Sequence, residues 1–371
     1  MKFKSITARN MKTGWNIENM QFNPMLTLMV GASGVGKTKV LNVIKILARI
    51  ARGESFNGLE WRVEFEQNEH SYVWEGKFEM KDEVEQDVLR KDYEEIRFAV
   101  DKEMILDNGE VIVERSPQSI VYKSQGLVKL DNTKSVVELL KEESLIEPIF
   151  DGYRQCYSLN TTENRIRVSP IISSGEIPMT IKQIKRKSSF SPLVSLYLLH
   201  KNKLKEFDVI CQRFQDIFPS VEKIGFSMAK SVVGRYFLIL KIKERKISTW
   251  IEQPEISSGM MRTLQQIITL VLANEGDVIM IDEFENGLGV NCINKLADLI
   301  MEPEADIQVV MTSHHPYIIN TIPVKDWKIL TRNGSNVKAH TAEELHIGEH
   351  SKQEAFMQFM QTTEFQTGQN H

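Results

Sequence analysis

The octapeptide Gly31-Ala-Ser-Gly-Val-Gly-Lys-Thr38 constrains this chain more than any other feature. The apolar run MLTLMV enters it and an apolar-periodic segment leaves it through Leu47, so a strand, a glycine loop and a helix are expected in that order. The glycines let successive backbone N–H groups turn inward, and the helix that follows aims its positive dipole end at the same point. A loop of this kind grips phosphate. Gly31, Ser33, Gly34 and Gly36 belong to the cradle, Lys37 holds the β- and γ-phosphates, and Thr38 ligates Mg2+. An ordinary glycine turn before a helix is the plainer alternative, but consensus and context agree against it.

A second constellation is DVIMIDEFENGLG, residues 277–289. Four apolar residues ending in Asp282-Glu283 describe a buried strand that delivers two carboxylates to its carboxyl edge, where ligands bind in open α/β sheets. Asp282 then holds the Mg2+ shell through water, and Glu283 orients and deprotonates an attacking water. Two shorter signals are ambiguous singly. ISSGMMRTL, residues 256–264, is a Ser/Gly stretch opening a helix, where free N–H groups meet a phosphate or a simple cap. TSHHP, residues 312–316, sets a histidine at the end of an apolar strand and also reads as a turn. Their joint order along the chain carries weight that neither has alone.

The rest of the chain supplies texture. FKSITARN and WNIENMQF alternate as short strands. From Leu59 to Leu130 an antiparallel meander is expected, with LEWRVEFEQ facing YVWEGKFEM and Asn108-Gly109 at a hairpin turn. Residues 134–147 and 191–217 carry helical periodicity, and 234–252 returns to strand. Helix and strand then alternate over 260–273, 277–281, 290–301 and 307–312, as in a mainly parallel sheet flanked by helices. From about Gly348 the chain is polar and rich in Gln. Against 46 Lys plus Arg stand 50 Asp plus Glu, and the net charge of −4 gives no global attraction to nucleic acid. Cys156, Cys211 and Cys292 are far apart and suggest neither a disulfide framework nor a zinc site. No apolar run approaches the roughly 20 residues that span a bilayer, and no secretion signal opens the chain. A soluble, cytoplasmic protein is expected.

Taken in order, the motifs resemble those of ABC-class ATPases. Gly31–Thr38 is similar to a Walker A motif, Ile256–Met260 to the family's LSGGQ signature (here ISSGM), Val278–Glu283 to a Walker B strand, Glu285–Gly289 to a D-loop, and His314 to the switch histidine. The early ITARNMKTGWNIENMQF is similar to the first hairpin of the SMC, RecF and OLD branch, with Asn10-Met11 for the usual Asn-Phe. DEFENGLG and TSHHPYIIN resemble the compact ATPases of bacterial defence loci, such as the ATPase of Septu-type systems. The likeness covers roughly residues 1–50 and 250–330; the middle matches in texture only. There are departures. Ser258 replaces the signature's first glycine, Phe284 stands where transporters have proline, and the Q-loop glutamine is open between Gln118 and Gln155.

The resemblance implies a P-loop NTPase of the ABC-type ATPase head, an α/β fold with a mainly parallel sheet, an antiparallel β subdomain and a helical insertion. It implies ATP and Mg2+ as cofactors, and an ATP-sandwiched homodimer or higher homo-oligomer. In that arrangement Ser257 and the N–H of Gly259 of one copy meet the γ-phosphate held by the other, Glu283 is the base and His314 senses the γ-phosphate. Hydrolysis removes the differential affinity that keeps the dimer closed. The product is a conformational change, and slow turnover is expected.

Two kinds of output compete. One is a DNA-associated ATPase that gates a separate, nuclease-like effector in antiphage defence, with DNA repair or maintenance as its nearest rival. The other, a transporter motor, is disfavoured because residues 39–256 separate Thr38 from Ser257 of the signature, far more than transporters use. The basic run TIKQIKRKSSF offers Lys182, Lys185, Arg186 and Lys187 to phosphates, or is a solvated surface segment. No Asp-x-Asp pair follows His314, so a nuclease centre of the OLD type is not expected in this chain. His340, His346 and His350 fit no metal spacing and are expected at the surface. Leu193, Leu196, Leu199 and Leu204 form either a docking face or a core face. The expected organisation is an N-terminal ATPase lobe over 1–58, a β subdomain over 59–133, a helical insertion over 134–220, a C-terminal ATPase lobe over 221–347 and a polar tail over 348–371.

Overall fold

Leu59–Gln67 and His70–Phe78 bury every second residue, as their sequence alternation requires, while Leu26–Val30, apolar along most of its length, is buried throughout. The computed structural model describes residues 1–82, 97–128, 130–159, 178–186, 191–230 and 236–347, with 358 and 361. The chain runs β1 (Lys2–Asn10), β2 (Asn16–Gln21), β3 (Leu26–Val30), α1 (Lys37–Ile50), β4 (Leu59–Gln67), β5 (His70–Phe78), β6 (Val100–Asp107), β7 (Glu110–Arg115), β8 (Ile120–Tyr122), β9 (Gln125–Gly126), α2 (Val136–Leu139), α3 (Glu147–Arg154) and β10 (Cys156–Leu159). It continues with α4 (Ile181–Arg186), α5 (Pro192–Lys201), α6 (Lys205–Ile217), β11 (Val221–Lys230), β12 (Tyr236–Glu244), β13 (Trp250–Glu252), α7 (Ser258–Val271), β14 (Val278–Ile281), α8 (Val290–Met301), β15 (Gln308–Thr312), α9 (Pro316–Thr321), β16 (Trp327–Asn333) and β17 (Asn336–Thr341). Two units form: residues 1–158, 276–282 and 307–371 in the first, 159–275 and 283–306 in the second.

The first unit is built on a 14-stranded sheet, ordered β10-β14-β15-β3-β16-β17-β2-β1-β4-β5-β6-β7-β8-β9. β14, β15, β3 and β16 are mutually parallel, the α/β core expected from the alternation of helix and strand. From β2 through β1, β4, β5, β6, β7, β8 and β9 the pairing is antiparallel. The meander is thus not a separate sheet but the continuation of the parallel one. Its apolar face closes under α3, whose Tyr153 ring lies 5.1 Å from that of Trp74, 5.7 Å from Phe65 and 6.0 Å from Phe3. Asn108 and Gly109 form the β6–β7 turn, both at positive φ, as the sequence indicated.

Helical periodicity over 134–147 does not give one helix. α2 is four residues long, and a new helix, α3, starts at Glu147 with Pro148 in its first turn. Proline lacks the N–H that would continue a helix arriving from residue 140, but it suits a first turn.

The second unit contains the antiparallel sheet β11-β12-β13 and helices α4 to α8. β11, which the sequence reading did not anticipate, pairs with β12 along its length. The periodic stretch 191–217 is two helices, because Lys203 takes a left-handed φ of 53° and Asn202 Nδ2 donates to Leu198 O at 2.9 Å. Leu193, Leu196 and Leu199 are buried and Leu204 is half-buried, so these leucines serve the core. Of the basic run, Lys182 and Lys185 lie on α4, and Lys185 Nζ donates to Ala273 O at 2.9 Å. The Arg186 side chain, Lys187, His350 and nearly all of the tail from 348 lie outside the described residues. The three cysteines are free thiols. Among the described residues no helix is long and apolar enough to cross a membrane.

Candidate functional site

In the first unit, β3, β15 and β14 are parallel neighbours, with Met29 opposite Thr312 and Met311 opposite Ile281. Their carboxyl ends therefore open side by side, and each leads into a motif: the glycine loop, TSHHP and Asp282. The loop requires its glycines. Gly31 has φ 143°, and a Cβ there would stand 2.5 Å from Leu330 O of β16; Gly36 has φ 111°, and a Cβ there would stand 2.8 Å from a Val337 methyl of β17. Ser33 and Gly34 are exposed at the tip. Lys37 is buried, and its Nζ donates to Gly31 O and Ala32 O, both at 2.8 Å, which holds the ammonium against the loop.

The Thr38 hydroxyl donates to Asp282 Oδ1 at 3.2 Å, and the Thr312 hydroxyl donates to the same oxygen at 2.8 Å. Hydroxyl and carboxylate oxygens at a loop mouth are hard donors, so Thr38 and Asp282 fit a Mg2+ ion. Thr312 was not among the residues singled out from sequence. Its only signal was its position as the last residue of an apolar strand. His314 stands exposed just beyond it, in a turn fixed by His315 N donating to the buried Ser313 Oγ at 3.1 Å and by Tyr317 N donating to His315 Nδ1 at 3.3 Å.

Charge at this edge is predominantly positive. The first turn of α1 carries no acidic residue. Burial lowers the pKa of Lys45, and the Asp282 carboxylate pulls it partly back. Burial also lowers that of Lys39, and the Arg332 guanidinium lowers it further. Arg332 itself donates from Nη1 to Gly34 O at 3.3 Å. An anion is the natural counterpart of such an edge.

In the second unit, Ser257 caps α7, its Oγ accepting from Met260 N at 3.2 Å. Gly259, in the first turn of α7, lies against the loop before α8: a Cβ on it would be 3.1 Å from Gly287 O. Gly287 has φ 71°, and a Cβ there would run into the Arg262 guanidinium. Burial lowers the pKa of Arg262, opposed by the charge of Glu283. Glu283 is exposed, takes a left-handed φ of 48°, and accepts from Asn286 Nδ2 at 3.0 Å. Phe284 beside it is fully buried and anchors the turn. Gly31, Ser33, Gly34, Gly36, Lys37, Thr38, Asp282 and His314 thus share the first unit, and Ser257, Gly259 and Glu283 the second.

The two candidate glutamines are not brought to this edge. Gln155 O accepts from Val278 N at 3.0 Å, at the opposite end of β14 from Asp282, and Gln118 lies in the β7–β8 turn. His340 Nε2 lies 3.1 Å from the Thr331 hydroxyl, and among the described residues no group of three His, Cys, Asp or Glu is arranged to hold a metal.

Residues 26–320 match the family described as "AAA domain, putative AbiEii toxin, Type IV TA system". No curated protein matches the chain. Among solved structures, the chain is similar to an SmcHead bound to the C-winged helix domain of ScpA, at 12% identity and TM-score 0.49, over 92% of this chain and 97% of that one. It is also similar to the SMC head domain from Thermotoga maritima, at 10% identity and TM-score 0.43, over 92% and 99%. A third is the Smc head domain with an extended coiled coil bound to the C-terminal domain of ScpA derived from Pyrococcus furiosus, at 13% identity and TM-score 0.47, over 93% and 98%.

Proposed function

The chain belongs to this family of AAA domains, and on that premise we propose that it is an ABC-class ATPase of the SMC/RecF/OLD-like branch that closes on ATP and opens on hydrolysis. The observation that carries the reading is the pair of hydroxyls, Thr38 and Thr312, converging on one oxygen of Asp282 at the mouth of the glycine loop. Backbone N–H groups of Gly31, Ser33, Gly34 and Gly36 and the Lys37 ammonium bind the phosphates. Thr38 and Asp282 would hold a Mg2+ ion, which would supply charge neutralisation of the phosphates. Glu283, next in the chain to Asp282, takes the proton of the attacking water, and His314 senses the γ-phosphate. A second copy contributes Ser257 and the N–H of Gly259 to cover the nucleotide, and ATP acts as the adhesive of a homodimer. The output is the opening of that dimer, which gates a separate nuclease-like effector in antiphage defence, in association with DNA. The type IV toxin–antitoxin description of the family supports a role of that class over DNA repair.

Calorimetric titration with Mg-ATP tests the chemistry. Lys37→Ala removes a charge-assisted contact and should weaken binding by roughly ten- to a hundredfold. Glu283→Gln should bind ATP normally and hydrolyse it roughly a hundred- to ten-thousandfold more slowly. Wild-type protein that ignores ATP overturns the proposal, and a Glu283→Gln variant with full turnover removes the base.

A further inference from the structure

Lys182 and Lys185 of the basic run stand on α4, and two contacts fix that helix to the end of α7. Lys185 Nζ donates to Ala273 O at 2.9 Å, and Asn274 Nδ2 donates to Lys185 O at 3.5 Å. Between α4, the first turns of α6 and the last residues of α7, the second unit leaves a cavity of about 590 Å3. Ile181, Val209 and Val271 give it an apolar wall, and Lys182, Lys185, Lys205, Glu206 and Glu304 give it charge. Small-molecule sites have this size and this mixture, an apolar surface with a few polar groups set into it.

The charges on the wall do not cancel. Glu304 is already answered by the Arg213 guanidinium, and Lys185 uses one of its three donors on the α7 carbonyl. Lys182, Lys205 and Glu206 form no side-chain hydrogen bond or ion pair among the described residues. Three ammonium groups therefore stand against one unpaired carboxylate. An anion relieves that excess, and a doubly charged one relieves more of it than a singly charged one. A phosphate monoester carries about −1.5 to −2 at neutral pH and offers three acceptor oxygens to the ammonium donors. Phosphate alone leaves the apolar wall bare. It also leaves Glu206 facing like charge, because an ionised carboxylate only accepts and needs donors from its ligand. Hydroxyl groups on the same molecule supply them. A nucleic-acid strand would satisfy the lysines but meet repulsion from Glu206 along its chain of phosphates.

We propose that this cavity binds a small phosphate monoester bearing hydroxyl groups, a sugar phosphate or a nucleoside monophosphate. Lys182, Lys185 and Lys205 hold the phosphate, Glu206 accepts from the hydroxyls, and Val209 and Val271 pack on the carbon skeleton. The site lies wholly in the second unit, contains no residue of the glycine loop, and does not depend on the nucleotide reading given above. Its occupant touches α7, whose opposite end carries Ser257 and Gly259.

The test is calorimetry on the full-length chain without Mg2+, using ribose 5-phosphate, AMP, inorganic phosphate and ribose as probes. Wild-type protein should bind ribose 5-phosphate at least roughly tenfold more tightly than inorganic phosphate, and should ignore ribose. Lys182 and Lys205 are exposed, so Lys182→Ala and Lys205→Ala should fold normally and weaken ribose 5-phosphate by roughly 10- to 150-fold each. Lys205→Arg should keep most of the affinity. Glu206→Gln should weaken ribose 5-phosphate while binding inorganic phosphate no less tightly than wild type. AMP of equal affinity identifies a sugar phosphate as the ligand, and AMP tighter by roughly tenfold or more identifies a nucleoside monophosphate. The cavity site is overturned if wild-type protein ignores both ribose 5-phosphate and AMP, or binds inorganic phosphate equally well. An affinity for ribose 5-phosphate that holds in Lys182→Ala and Lys205→Ala but falls in Lys37→Ala puts the ligand in the glycine loop, and overturns the cavity site while leaving the nucleotide reading intact.

Discussion

Glu103 lies wholly inside the first unit and is held by four neighbours. Trp74 Nε1 donates to it at 2.8 Å, Ser135 Oγ at 2.5 Å and Val136 N at 2.8 Å, with Arg115 Nη1 at 3.8 Å. Burial pushes its carboxyl pKa up, and these donors and the Arg115 charge oppose that push. Glu103→Ala strands all of them, and the loss should be about 3–5 kcal/mol by urea denaturation, with a smaller loss for Glu103→Gln, which keeps acceptor and shape. Nothing in the sequence pointed to this residue, because its hydrogen-bond donors are 29 to 33 positions away and an acidic residue on an alternating strand reads as solvent-facing. Lys37, Thr38 and Asp282 were legible for the opposite reason: each belongs to a contiguous motif whose spacing expresses its geometry. Thr312, with the same oxygen as partner as Thr38, was not, because its role appears only when β15 and β14 lie in register.

Among the elements, α7 and the loop before α8 are joined through two glycines. Gly259 is close to Gly287 O, and Gly287 leaves room for the Arg262 guanidinium. Gly287→Ala meets both an unfavourable φ of 71° and that guanidinium, and should cost about 1–3 kcal/mol. Amide exchange across α7 reads it: protection should fall along the first two turns, and unchanged protection would show that the helix and loop are independent. Helices and strands with unbroken periodicity were predictable within a few residues; α7 and α8 are examples. The breaks were not. One left-handed residue, Lys203, divides 191–217 while leaving its apolar spacing intact, and the helix expected over 134–147 stops at Leu139, with a new one starting at Glu147 on Pro148. β11 was missed because VEKIGFSMAK carries Gly225 and Ala229, which weaken its alternation.

For the whole molecule, the proposed switch predicts a change in assembly. Glu283→Gln with Mg-ATP should double its mass by size exclusion with light scattering, and Lys37→Ala should not respond to ATP. A Glu283→Gln variant that stays monomeric at saturating ATP would remove the sandwich and leave the nucleotide-binding fold. The sheet that carries the site bears on how such copies meet. It is longer than most open sheets, yet its described edges end in strands of four residues at β10 and two at β9. Short margins of this kind expose little unpaired backbone, so a neighbouring chain finds almost no ladder to extend. Recognition between copies is left to the identity of side chains on their faces, where a single substitution can abolish it, instead of to the generic hydrogen bonding that makes long sheets stick to one another.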